Sequence, residues 1–215
     1  MKILELFGGS CTFTRLAPQY GFEAQSLDVR RRKGICEPTM RANIKHLKTG
    51  FYPFDKSFDI WVAFPPCDIW SYASGGHHLD KELKPKTEKA VKELYTYYHF
   101  LDLLEAANPA FFFIENPRAL MRFEPRLQAY LQKRGGYTRE LTLSSYGHAT
   151  TKPTNIFTNF HPWRSKPLDN YGRGAKIEVR SDNLTKCQRQ KTPDLLAHEI
   201  LKELSSFYFG MKRTI

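Results

Sequence analysis

The stretch KILELFGG, residues 2–9, decides the fold because an apolar strand runs directly into a pair of glycines. The residues that follow have the composition of a helix that ends near Pro18. Glycines at such a turn let backbone N–H groups approach a ligand closely. A second strand, residues 23–27, finishes at Asp28, about 20 residues after the turn, where a carboxylate suits ribose hydroxyls. The opening residues predict a site for a nucleoside-bearing cofactor, with a tight turn at positive φ as the alternative.

Strands and helices keep alternating beyond this unit. Apolar strands are predicted over residues 58–63 and 110–114, and helices over residues 87–107, 120–131 and 195–204. One buried face of the long helix is predicted from apolar residues at spacings of three and four, namely Val91, Leu94, Tyr98, Leu101 and Leu104. Residues 140–143 and 154–158 predict a late strand pair that is a candidate for antiparallel pairing. The pattern is typical of an α/β protein with a doubly wound, mostly parallel sheet.

The order of elements also predicts the domain organisation. Residues 1–161 are expected to form a catalytic and cofactor-binding domain. Residues 162–190 are rich in Arg, Lys, Gly, Asn and Ser and are expected to form a short, basic, loop-rich recognition insertion. Residues 191–215 are expected to supply a helix that completes the catalytic domain.

Composition limits the classes of partner. A formal net charge of +11 and a pI near 9.5 favour a polyanion, and nucleic acid is the usual one. The longest uninterrupted apolar stretch, residues 110–114, is far short of the roughly 20 residues that cross a bilayer, so no membrane association is expected. The four cysteines form no CxxC pair, so neither a metal site nor a disulfide framework is expected, and a reducing cytoplasm fits best.

The run FPPCDIWS, residues 64–71, presents a cysteine on a stiff turn. Pro65 and Pro66 fix two φ angles and cannot continue a sheet ladder, so the preceding strand must stop there. Cys67 then lies at the carboxyl end of a strand, where open α/β sheets bind their ligands. The turn indicates a nucleophile, and the alternative is a buried cysteine that acts as a small hydrophobe.

Glu115 follows the apolar strand at residues 110–114 and is expected at the same edge of the sheet. An unpaired charge there would be costly. One hypothesis is a carboxyl group that shares a proton with a ring nitrogen of a bound substrate. The alternative is a carboxylate that caps the next helix or pairs with Arg118.

These motifs, taken in order, resemble those of the DNA cytosine-5 methyltransferases, and the resemblance covers most of the chain. FGG at residues 7–9 resembles the turn that binds S-adenosylmethionine, PPC at 65–67 the nucleophile motif, and ENP at 115–117 the tripeptide that holds cytosine. Residues 146–154 and 192–197 are looser matches. The chain departs from the family where Cys11 replaces a glycine, where Pro117 replaces a valine, and where an arginine pair is missing, with Lys152 the nearest cation.

The resemblance implies a Rossmann-like methyltransferase fold and a role for each matching position. The implied catalytic residues are Cys67, Glu115 and Lys152, with no metal. The implied cofactor-binding residues are Phe7, Gly8, Gly9, Ser10, Cys11, Thr12, Asp28, Asn43, Ile44 and Pro65. The implied substrate-binding residues are Pro66, Ser71, Asn116, Pro117 and Thr154.

The activity that the resemblance implies is methyl transfer from S-adenosylmethionine to C5 of cytosine in DNA. A base in a duplex must be flipped out to reach such a site. The short recognition region leads us to expect a short target sequence, relaxed specificity or a specificity partner. The alternatives are a nucleic-acid-binding relative that does not methylate, or a methyltransferase of RNA or a free nucleotide. Self-protection, restriction-linked marking and viral genome modification in a host cytoplasm are all compatible with the sequence.

Overall fold

The computed structural model describes residues 1–29, 37–164 and 192–212. These residues form a seven-stranded sheet in the order β3-β2-β1-β4-β5-β7-β6. The strands are β1 (Lys2–Leu6), β2 (Glu23–Asp28), β3 (Met40–Arg41), β4 (Ile60–Ala63), β5 (Phe111–Pro117), β6 (Tyr137–Thr142) and β7 (Pro153–Thr158). The helices are α1 (Thr12–Leu16), α2 (Glu88–Ala107), α3 (Pro125–Lys133) and α4 (Asp194–Lys212).

The sheet is parallel from β3 to β5 and antiparallel at one side, where β7 pairs with β5 and β6 pairs with β7. The predicted fold class is therefore confirmed, and so is the antiparallel arrangement of the late strand pair. Because β1, β4 and β5 are parallel neighbours, their carboxyl ends share one edge of the sheet. That edge carries the motifs that the sequence singles out.

Apolar cores cover both faces of the sheet. One contains side chains of α2 and α3, such as Leu101 and Leu127, packed with Trp61 and Phe112. The other contains residues of α1 and α4 packed with Val62 and Phe113. The helix α4, which follows the basic segment in sequence, thus packs on the same sheet as the opening helix.

The long helix lies within one residue of its predicted bounds. Thr87 caps its first turn, since its Oγ1 accepts from the backbone N of Ala90 at 3.2 Å. The prediction for Val91 is wrong, because this side chain is 54% exposed. The buried stripe runs through Ala90, Leu94, Tyr97, Leu101 and Leu104, and Val91 lies one position to its solvent side.

The predicted helix over residues 120–131 is two elements. A 3-10 turn spans Leu120–Phe123, and α3 then begins at Pro125. Proline disfavours helical geometry in the residue before it, so Glu124 is extended and interrupts the helix. The Glu124 carboxylate instead accepts from the backbone N of Arg126 at 3.1 Å and of Leu127 at 2.7 Å, which caps α3.

Candidate active site

The glycine turn at the end of β1 is shaped by positive φ angles and close approach. Phe7 has φ of 55° and Gly9 has φ of 49°. A Cβ on Gly8 would lie 3.2 Å from the side chain of Glu5, so this position has little room for any larger residue. The backbone N of Gly9 donates to Oδ2 of Asp28 at 3.1 Å. The carboxylate at the end of β2 and the turn at the end of β1 therefore form one unit.

Glu5 lies beneath this turn, completely buried. Its Oε2 accepts from the backbone N of Thr14 at 2.8 Å and from Thr14 Oγ1 at 2.7 Å. Burial outweighs these hydrogen bonds and raises the pKa of Glu5 from its ordinary 4.5 to about 7. The carboxyl therefore fixes the start of α1 against the strand that carries the turn.

The turn that bears Cys67 is held from both sides. The backbone N of Phe64 donates to the carbonyl of Leu6 at 3.0 Å, and Asn116 Nδ2 donates to the carbonyl of Pro65 at 3.4 Å. After the turn, the carbonyl of Cys67 accepts from the backbone N of Trp70 and of Ser71, each at 3.1 Å. Cys67 is a free, half-buried thiol.

Glu115 and Lys152 form an ion pair beside this thiol. Lys152 Nζ lies 3.0 Å from Glu115 Oε1, and the two side chains are only 21% and 12% exposed. Burial is the largest single effect and disfavours the ammonium, but the charge of Glu115, its hydrogen bond and the charge of Cys67 together outweigh burial and raise the pKa of Lys152. Ala119 and Glu124 occupy the N-cap positions of the next 3-10 turn and of α3, and Arg118 pairs with Glu140 at 3.5 Å, so both alternatives for Glu115 are wrong.

The surroundings of Cys67 set its ionisation. Burial is the largest effect and raises the pKa of the thiol, and the charges of Glu115 and Asp68 raise it further. The charge of Lys152 acts in the opposite direction. Cys67 is therefore a protonated thiol at neutral pH, and Lys152 is the cation that favours its thiolate.

These groups share a cavity of about 500 Å³ at the carboxyl edge of the sheet, a volume within the usual range for ligand sites. Its walls join the glycine turn, the end of β2, the Cys67 turn and the Glu115–Lys152 pair. Among the described residues, its charged groups are four carboxylates and two ammonium groups, namely Asp28, Asp68, Glu93, Glu115, Lys89 and Lys152. Lys89 pairs with Asp68 at 2.8 Å.

Sequence reasoning missed Asp68, Lys89, Glu93 and Thr192 as lining residues. Lys89 and Glu93 are one helical turn apart at the start of α2, and that spacing is the only signal that could have linked them. Thr192 reaches the cavity because its carbonyl accepts from Thr12 Oγ1 at 3.3 Å. This bond joins residues 180 positions apart in sequence, which no local pattern indicates.

Five of the predicted cofactor-binding residues are not among those that line the cavity. Ser10 and Thr12 are buried and share a hydrogen bond of 2.8 Å between their hydroxyls. Asn43 Oδ1 accepts from the backbone N of Lys45 at 3.1 Å and caps a short 3-10 helix, while Ile44 belongs to the apolar core. Cys11 is disulfide-bonded, which corrects the expectation from cysteine spacing that no disulfide framework is present. Distance along the chain does not report distance in space.

The predicted substrate positions surround Cys67 and the end of β5. Pro66 is exposed beside Cys67, and Ser71 lies partly buried after the turn. Pro117 is the register partner of Thr154. Thr154 is completely buried, and its Oγ1 donates to the carbonyl of Lys152 at 3.1 Å. The β5–β7 pairing thus brings the Glu115–Asn116–Pro117 segment to the strand that follows Lys152.

Across residues 1–29, 37–164 and 192–212, no cluster of His, Cys, Asp or Glu side chains has the arrangement of a metal site. In the same residues, no helix has the length and apolar character that crossing a membrane requires.

No protein-family model matches the sequence, and no curated protein matches it either. Solved structures do show the fold. A DNA modification methyltransferase encoded within an Escherichia coli prophage is similar with a TM-score of 0.52 and 16% identity, over 79% of this chain and 52% of that one. A methyltransferase of Entamoeba histolytica is similar with a TM-score of 0.52 and 14% identity, over 77% of this chain and 55% of that one.

This chain therefore spans about half the length of the solved structures that it matches. At these identities the likeness concerns the fold alone, and substrate and chemistry do not follow from it. The sheet order and the matches together establish that the chain has a Rossmann-like α/β fold, the fold of these methyltransferase structures.

Proposed function

We propose that this protein transfers a methyl group from S-adenosylmethionine to C5 of cytosine in DNA through a covalent bond between Cys67 and C6. The observation that carries the proposal is the grouping of Cys67, Glu115 and Lys152 in one cavity, at the edge where this fold binds ligands. A nucleophile, a carboxyl group and a cation together are more than a structural turn requires. Residues 1–161 and the helix after residue 191 would then form the catalytic domain.

The residues present fit S-adenosylmethionine. Asp28 and the turn at Phe7–Gly9 offer a carboxylate and close backbone approach for a nucleoside. The excess of carboxylates over ammonium groups in the cavity suits a cationic sulfonium. When bound, the cofactor supplies an electrophilic methyl group, and the protein must make C5 of cytosine nucleophilic.

Cys67 supplies that activation. The Cys67 thiol passes its proton to the Glu115 carboxylate, and the thiolate adds to C6 with formation of a carbon–sulfur bond. The electron pair moves towards C5 while Glu115, now protonated, protonates or hydrogen-bonds N3. After methylation of C5, a base or water removes the C5 proton and the carbon–sulfur bond breaks, which releases Cys67. Lys152 holds Glu115 in place and favours the thiolate of Cys67.

The duplex substrate must present a flipped cytosine, because stacked bases cannot enter a cavity at the edge of the sheet. Flipping costs a few kcal/mol, as a rough measure. Phosphate contacts from the basic segment at 162–190 would supply binding energy without reading sequence. All but its first three residues lie outside the described part of the chain.

The test is incubation with tritiated S-adenosylmethionine and unmethylated DNA, RNA or dCMP. We expect label in DNA, none with Cys67→Ser, and a covalent adduct of the wild type on DNA that contains 5-fluorocytosine, since fluorine blocks the last elimination. Glu105→Gln, which removes a carboxylate on the solvent side of α2, should label DNA like the wild type. Label in RNA or dCMP alone would show that the substrate is not DNA. No label in any of the three, with nucleic-acid binding intact, would indicate a non-methylating relative.

A further inference from the structure

Three polar side chains form a row across the antiparallel end of the sheet. Asn116 on β5 is the register partner of Asn155 on β7, and Asn155 is the register partner of Glu140 on β6. Register partners point to the same face of a sheet. Asn116 and Asn155 are completely buried, on the face covered by α2 and α3, because the side chains two residues away, Ile114 and Phe157, belong to that core.

The row contains buried polar atoms that lack hydrogen bonds among the described residues. These are Oδ1 of Asn116, Oδ1 and Nδ2 of Asn155, and Nε of Arg122. The two nitrogens are hydrogen-bond donors and the two oxygens are acceptors, so each donor has an acceptor with which it can pair. Arg122 belongs to the row because its Nη1 donates to Glu140 Oε1 at 3.4 Å. Arg122 Nε matches Asn155 Oδ1 as donor and acceptor, and Asn155 Nδ2 matches Asn116 Oδ1, so bridging waters can satisfy both pairs.

The row ends at the turn that carries the nucleophile. Asn116 Nδ2 donates to the carbonyl of Pro65, two residues before Cys67. We propose that Asn155 is a positioning residue: it joins Arg122 to Asn116 and thereby fixes the Pro65 carbonyl and the orientation of Cys67. Its effect on catalysis rests on the proposed function, whereas its effect on the geometry of the turn does not.

Stability alone does not account for this asparagine. A buried amide without partners disfavours the folded state, and an apolar residue of the same size would pack without that penalty. Sites that break the rules of packing are often those that function requires. Asn155 touches neither Cys67 nor the cavity, so it would act only through Asn116.

The test compares Asn155→Leu with Thr158→Val, a change at a buried polar residue of the same strand outside the row. For Asn155→Leu we expect an unchanged or higher Tm, a fall in kcat of about tenfold, and an unchanged KM for S-adenosylmethionine. The rate at which iodoacetamide alkylates Cys67, followed by mass spectrometry without cofactor or DNA, should change at least threefold or so. For Thr158→Val we expect the reverse: a lower Tm, because Phe160 N loses its acceptor, with kcat and alkylation unchanged.

A rate of Cys67 alkylation like that of the wild type would overturn the proposal, whatever the Tm. If Asn155→Leu does not fold, Asn155→Thr removes the same amide with a smaller residue that strands accept, and the same alkylation result decides. If Cys67 is alkylated at different rates in the wild type and the variant, but the wild type transfers no methyl group to any substrate, the proposed function is refuted and the role of Asn155 stands.

Discussion

Among the residues of the cavity, Lys152 interacts through its one positive charge with both Glu115 and Cys67. It pairs with Glu115 at 3.0 Å and lowers the electrostatic cost of a thiolate at Cys67. We expect Lys152→Met to slow methyl transfer by about 100-fold and to destabilise the fold by ~1–3 kcal/mol, because the Glu115 carboxylate is then buried without a partner. Lys152→Arg should keep most of both properties. Single-turnover kinetics and urea unfolding measure the two effects, and a Met variant that transfers methyl at the wild-type rate would exclude the cation from the reaction.

Glu5 gives a second prediction at the same scale, because its pKa rises from 4.5 to about 7 on folding. Between these values the folded protein keeps a proton that the unfolded chain releases. The free energy of unfolding therefore falls as pH rises from about 4.5 to about 7, by about 3 kcal/mol, and levels off above that range. Glu5→Gln should remove this loss, so its stability relative to the wild type should be greatest at pH 8. Urea unfolding at pH 5 and pH 8 measures it, and parallel pH profiles would contradict the raised pKa.

At the scale of elements, α2 brings Lys89 and Glu93 to the cavity, and Thr87 fixes where it begins. We expect Thr87→Ala to cost about 1 kcal/mol, since the backbone N of Ala90 loses its acceptor. Thr96→Ala in the same helix is the matched control, because Thr96 Oγ1 only donates to the carbonyl of Lys92. This change should be neutral or stabilising by about 0.5 kcal/mol. Equal Tm shifts for the two variants would show that Thr87 does not act as a cap.

Elements with strong local signals could be predicted, and contacts between them could not. Periodic apolar residues and a threonine cap locate α2, and the Pro65–Pro66 turn locates the end of β4. The two-residue strand β3 has no signal of its own, since only its pairing with β2 defines it. The approach of Lys152 to Glu115 depends on antiparallel pairing of β7 with β5, which spacing along the chain does not encode. Motif order led us to expect Cys67, Glu115 and Lys152 at one edge of the sheet, and tertiary pairing decides how they meet.

At the scale of the whole molecule, the described wall of the cavity differs in charge from the chain. The chain carries +11, whereas four carboxylates and two ammonium groups line the cavity among the described residues. Such a difference lets a cationic cofactor bind at the cavity of a protein whose overall charge attracts a polyanion.

The basic segment is the first candidate for the phosphate contacts, and salt dependence tests it. Its cations are Arg164, Lys166, Arg173, Lys176, Arg180, Lys186 and Arg189, and Lys191 directly follows it; of these only Arg164 lies within the described residues. If they contact DNA, log Kd should change with log salt by a slope of roughly 0.9 per phosphate, and Lys176→Gln with Arg180→Gln should flatten it by up to about two units on every sequence. Lys2→Gln with Lys133→Gln removes the same net charge from two residues that pair with Glu23 and Glu105. Binding isotherms from about 50 to 300 mM salt distinguish local contact from overall charge. Equal slopes for both double variants and the wild type would place the DNA interface elsewhere.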